Sequence, residues 1–195
     1  MPESAQATRT KQALLRAARS EFAAHGLAGG RTDRIAASAG ANKQRIYAYF
    51  GSKEGLFSAV IEDALDELLG VVPFPTEGDR TTRISDYVTS VATFHREHPE
   101  LLRLLQWEAL QTGTESVLSD DRIGKYAQKV DAFAAAFGLD HDAAAQFLSG
   151  TVGLAAWPVA MPQLTRLILN EDLPDGLDTA TGWAARAAAT LLDQD

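Results

Sequence analysis

A chain of 195 residues with 46% hydrophobic side chains has material for one sizeable core, or for a small module joined to a larger one. It has no cysteine, which excludes disulfides and thiolate metal sites and fits a cytoplasmic protein. Its apolar runs break well short of the roughly 20 residues that span a bilayer, and residues 1–11 carry no apolar signal-peptide segment.

The net charge of −8 conceals an asymmetry: residues 1–55 carry nine basic side chains against four acidic ones, and residues 56–195 carry nine against 22. The balance is +5 in the first quarter and −13 in the rest, a basic module on an acidic body.

In chain order the elements read as all-α. Leu15, Ala18 and Phe22 recur at helical spacing, and Gly26 stands where a C-terminal cap ends the first helix. Thr32 is the candidate N-cap of a short second helix, Asp33 to Ala39, stopped by Gly40. A third helix runs from Asn42 or Lys43 to Phe50. Gly51 and Ser52 then turn the chain, with Ser52 capping a longer helix that carries Leu56, Phe57, Val60, Ile61, Ala64, Leu65 and Leu68 on one side. Val71 to Asp79, with Pro73, Pro75 and Gly78, is the clearest break. Beyond it the spacing predicts helices near 81–98, 100–112, 115–137, 140–156, 162–170 and 177–193. Pro99, Gly113, Gly138, Pro158 with Pro162, and Pro174 with Gly176 separate them. No run alternates long enough to argue a strand.

Residues 32–50 place two short helices around Gly40. Ile35, Ala36 and Ala39 face inward on the first, Ile46 and Phe50 on the second, and the small residues let the helices cross closely, as a helix-turn-helix requires. Lys43, Gln44, Arg45, Tyr47 and Tyr49 are left polar or amphipathic on the second helix. A helix of that kind in a major groove presents its N-terminal residues to base edges and its longer side chains to phosphates. Asn42 is a base contact or the cap of this helix, and Arg34 reads as a solvated face.

Thr32, Ile35-Ala36, Gly40, Tyr47, Phe50 and Ser52-Lys53-Glu54, followed by Leu56-Phe57, together resemble the TetR-family DNA-binding signature; Ala18, Phe22 and Gly26 match it in the first helix. The resemblance is strong over about residues 8–60. It implies a helix-turn-helix DNA-binding domain over 1–55 and a helical-bundle domain for effector binding and dimerisation over 56–195. It also implies roles: Thr32 at a phosphate, Lys43 and Gln44 reading bases, Arg45 at a base or a phosphate, and Tyr47, Tyr49 and Lys53 as phosphate anchors. Many relatives have a small residue at the position of Gln44 and a histidine at that of Tyr49, so the bases read here are this chain's own.

The body carries aromatic residues at helical spacing: Tyr87, Phe94, Trp107, Phe133, Phe137 and Phe147. Taken alone they are solid core or the lining of a cavity. The resemblance favours a cavity for a small-molecule effector, and His95, Gln106, Glu108 and Gln111, polar residues inside apolar runs, are the candidate specificity elements. Arg96 and Arg166 are the alternative, structural partners of Glu108. The segment 143–156 and the stripe Ala184, Ala187, Ala188, Leu191 and Leu192 are rich in small residues. They are covered within the chain or, as the resemblance implies, form a four-helix homodimer interface.

No nucleophile set, phosphate loop or carboxylate pair is legible, so neither an enzyme nor a cofactor is expected. His95 and His98 at helical spacing make a weak metal pair because Pro99 ends the helix. The expected function is ligand-responsive regulation, with a homodimer bound to double-stranded, palindromic operator DNA and no membrane. The alternative is an activator or a DNA-binding protein without a ligand.

Overall fold

The structure, a computed structural model, describes residues 5–112, 120–172 and 175–192. These form helices α1 (Ala5–Gly29), α2 (Thr32–Ser38), α3 (Lys43–Phe50), α4 (Lys53–Val71) and α5 (Arg80–Glu97). Then come α6 (Pro99–Thr112), α7 (Asp120–Phe137), α8 (His141–Ala160), α9 (Pro162–Leu169) and α10 (Asp175–Leu192). No strand occurs among the described residues, and the all-α expectation holds. The expected start of the seventh helix at 115 and the end of the last at 193 lie outside the described residues.

Most boundaries follow local chemistry. Asn42 caps α3 by accepting the Gln44 N–H at 2.9 Å, Ser52 Oγ accepts the Gly55 N–H at 3.0 Å, and Asp79 and Asp140 cap α5 and α8 in the same way. Two expectations change. Pro158 does not end α8; it sits inside the last turn, where the missing N–H costs one hydrogen bond and the helix runs on to Ala160. Thr32 is the first residue of α2 and not its cap, which is Arg31.

Contacts divide the chain into two compact units, one within Met1–Glu67 and Glu100–Val117, the other within Leu68–Pro99 and Leu118–Asp195. The first is built on Leu14, Phe22, Ile35, Ile46, Leu56 and Phe57, with Phe22 and Phe57 edge to face at 5.2 Å. Arg19 of α1 holds Asp63 and Glu67 of α4 at 3.0 and 2.5 Å. Helix α6, placed in the body by the linear division, belongs to this unit: Trp107 Nε1 donates to the Ala23 carbonyl at 3.3 Å, and Gln111 accepts the Leu27 N–H at 2.9 Å.

In the second unit α5 packs against α8 and α10, and α7 against α8. Among the described residues no single helix is long and apolar enough to cross a membrane; α8 and α9 reach that length only as a pair bent by 87°.

Candidate nucleic-acid interface

The first unit holds α2 and α3 at a fixed crossing. Ile35 and Ile46 are buried, α2 packs against both α1 and α3, and Gly40 turns the chain at φ +60°, a conformation that costs a side chain strain. The Ala41 N–H returns to the Ala36 carbonyl at 2.9 Å and closes the turn. With its apolar edge committed to Ile46, α3 turns Lys43, Gln44, Arg45, Tyr47 and Ala48 outward, while Tyr49 is half-buried with its ring against Phe50.

The charges around this helix are not idle. Lys43 Nζ pairs with Asp33 of α2 at 2.8 Å, a contact that holds the Asp33 carboxyl below its ordinary range and raises Lys43. The pair is exposed, so it holds Lys43 only weakly. Arg45 reaches Thr10 of α1 at 3.5 Å, and Lys53 donates to the Ala28 carbonyl at 3.3 Å. Thr32 is only 8% exposed.

Arg34 is exposed, as expected, but it is not unpartnered. Its guanidinium binds both oxygens of Glu21, at 2.6 to 3.1 Å, and the same carboxylate accepts the Arg31 N–H at 2.8 Å. Burial pushes the Glu21 carboxyl up, but the bonds from Arg34 and Arg31 outweigh it and hold it below the ordinary range. This carboxylate, from another helix, serves the N-terminus of α2 where Thr32 was expected to. Sequence reasoning also passed over Ala48, whose spacing of four from Gln44 places a small exposed residue on the same face.

The fold, the exposed face of α3 and the sequence agree with two family descriptions. Residues 14–60 match the bacterial regulatory proteins of the tetR family, and residues 83–189 match the tetracyclin repressor-like C-terminal domain. The chain belongs to the TetR family.

Among TetR-family relatives, the HTH-type transcriptional repressor SCO4008 of Streptomyces coelicolor is 40% identical over 184 residues, covering 91% of this chain and 93% of its own. The HTH-type transcriptional repressor NicS of Pseudomonas putida is 32% identical over 111 residues, 55% of this chain and 52% of its own. A solved transcriptional regulator from Rhodococcus sp. Rha1 shares the fold with a TM-score of 0.72 at 18% identity, covering 94% of this chain and 96% of that one.

The residues expected to line an effector cavity divide between the units. Tyr87, Phe133, Phe137 and Phe147 come together in the second unit, joined by Phe74, a residue sequence reasoning missed. Phe94 is buried near the end of α5 and stacks on His98 at 4.6 Å.

His95 is 2% exposed, and neither ring nitrogen has a hydrogen-bond partner among the described residues. Burial lowers its pKa to about 4. Trp107 and Glu108 lie on α6 in the first unit, Trp107 with its ring against Gly26. The arginines expected as partners of Glu108 are tied elsewhere, Arg96 to Asp178 and Arg166 to Asp172. No group of three or more metal-ligating side chains occurs among the described residues.

The stripe on the last helix also shifts. Ala184, Ala188 and Leu192 are buried within the chain, against the α5 and α8 side. Trp183 and Leu191 are 58% and 54% exposed instead. With Phe147, Leu154, Trp157 and Ile168 they line an open groove of about 1080 Å³ along α8, α9 and α10.

Proposed function

We propose that this chain is a ligand-responsive repressor that acts in the cytoplasm as a homodimer on a palindromic operator. The observation that carries the reading is α3: a capped helix whose apolar edge is buried while Lys43, Gln44, Arg45 and Tyr47 stand outward from a basic module. Lys43 meets the O6/N7 edge of guanine and Gln44 the N6/N7 edge of adenine, Arg45 takes a base or a phosphate, and Tyr47, Tyr49, Lys53 and Thr32 fix the register on phosphates. Asn42 serves mainly as the cap. The 40% identical relative is named a transcriptional repressor, which supports the sign of the effect.

The dimer is built on the groove of α8 and α10. An exposed apolar face with Trp157 and Trp183 is unusual for a free surface. Gly150 and Gly153 look onto open space, so a partner helix has room for close approach. Two-fold pairing of two α3 helices then matches two major grooves, roughly 34–36 Å apart or a multiple of that.

The effector enters the second unit around Tyr87, Phe133, Phe137 and Phe147. It releases the operator only as far as it prefers the non-binding state; a 100-fold loss of affinity needs about 2.7 kcal/mol of coupling.

Selection of random duplexes by the purified protein tests the reading. Recovery of a palindrome is the expected result. Recovery of no sequence at low salt, where phosphate contacts are strongest, overturns it.

A further inference from the structure

The stretch between α4 and α5 behaves as part of the sensor unit. Phe74, held between Pro73 and Pro75, places its ring 4.8 Å from Tyr87 of α5 and 5.2 and 6.4 Å from Phe133 and Phe137 of α7. Two cations hold the strap, at the residues before and after Pro73-Phe74. Lys129 of α7 lies 4.2 Å above the Phe74 centroid and donates to the Val72 carbonyl at 3.1 Å. Arg83 of α5 donates to the Pro75 carbonyl at 2.8 Å and to the Ala136 carbonyl at 2.6 Å, with its guanidinium 5.1 Å over Phe137.

Neither cation has a carboxylate partner among the described residues. Each spends its charge on neutral carbonyls and ring faces. A carboxylate adds to such a bond the Coulomb attraction between opposite charges that a neutral carbonyl lacks.

We propose that Phe74 is an internal occupant of the effector subsite, and that an aromatic carboxylate displaces it. The ligand ring takes the place beside Tyr87, Phe133 and Phe137, and its carboxylate takes Lys129 and Arg83 from the Val72 and Pro75 carbonyls. Ring for ring the exchange is even, and carboxylate for carbonyl it favours the ligand. Phe74 is only partly buried, so its site is reached without opening the core. Burial already lowers the proton affinity of Lys129, and an arriving anion restores it. The displaced strap begins at Val72, the residue after the last of α4, so the exchange frees the C-terminal anchor of that helix.

This inference rests on the ligand-responsive reading and names its ligand class. The experiment uses the full chain with phenylacetate as probe and neutral phenylacetamide as its control, in calorimetry and amide hydrogen exchange. Removing the competing ring raises the fraction of sites that are already open, so Phe74→Ala and Phe74→Leu bind phenylacetate at least about tenfold tighter than the native chain. Lys129→Gln weakens binding by a similar factor, and phenylacetamide binds correspondingly less. In the native chain phenylacetate speeds exchange at Thr76–Gly78.

If Phe74→Ala fails to fold, Phe74→Leu and the native exchange pattern decide. Equal affinity in the native and Phe74 variants, no binding to any of them, or binding that leaves the strap protected each overturns the proposal. If another small molecule releases operator DNA while phenylacetate fails these tests, the plug is wrong and the ligand-responsive reading stands. If the phenylacetate results hold and no ligand changes operator affinity, the reading fails and the site stands.

Discussion

Replacing Gly26 with alanine tests how the DNA-binding unit is held together. Gly26 has φ +65° and ψ −178°, a region open almost only to glycine, and holding alanine there costs about 1–3 kcal/mol. An added Cβ lies 2.8 Å from Cδ2 and Cε3 of Trp107 and 2.9 Å from Nε2 of Gln111, closer than real contacts allow. The indole is tethered by its hydrogen bond to the Ala23 carbonyl, so it does not slide away freely. Overpacking of this kind adds about 1–3 kcal/mol, and the combined loss is about 2–6 kcal/mol.

Urea unfolding followed by circular dichroism measures it in the native chain, Gly26→Ala, Trp107→Leu and the double variant. Trp107→Leu relieves the overpacking and leaves the backbone strain, so the cycle shows a favourable coupling of about 1–2 kcal/mol. A Gly26→Ala loss within about 0.5 kcal/mol, the range of a neutral surface change, refutes the packing of α6 on α1.

Glu21→Ala leaves the Arg31 N–H without its acceptor and Arg34 without its carboxylate, and lowers stability by about 1–2 kcal/mol in the same urea assay. His95, with its pKa lowered from 6.5 to about 4, is neutral in the fold, and the unfolded chain binds more protons between those values. Its contribution is fully present above pH 6.5 and falls away as pH drops toward 4, by roughly 3 kcal/mol in all. A pH series of unfolding free energies shows that loss in the native chain, and His95→Leu removes it. Asp33→Asn frees Lys43 and removes an anion beside the DNA, so operator affinity rises at least about twofold at low salt and the gain fades as salt screens it. Trp183→Glu puts a charge in the groove of α8 and α10; under the proposed dimer, light scattering is expected to read a dimer for the native chain and a monomer for the variant.

The DNA-binding unit was the more legible part because its signals are local. Asn42 and Ser52 cap the next helix within three residues, Gly40 needs its turn, and Ile35 and Ile46 follow helical spacing. What stayed hidden depends on chain distant in sequence. Glu21 reaches Arg34 from another helix, so Thr32 lost a cap role that its residue type made natural. Trp107 reads as one more body aromatic until α6 is seen lying on the Gly26 bend.

Phe74 was missed because a ring between two prolines has no period to betray its burial. On α10 the alanine stripe was legible as an apolar face, but composition does not say whether the chain or its copy covers it. Ala184 and Ala188 went inward, and Trp183 outward.

The most direct test is fluorescence anisotropy of the selected duplex against the native chain and the Lys43→Ala/Tyr47→Ala double variant, at about 50 and about 200 mM salt. Reading by α3 gives tight binding of the palindrome by the native chain, at least about a hundredfold weaker binding by the double variant, and a shallower salt dependence for it. Equal affinities and equal salt slopes would contradict the assignment of α3 as the reading helix.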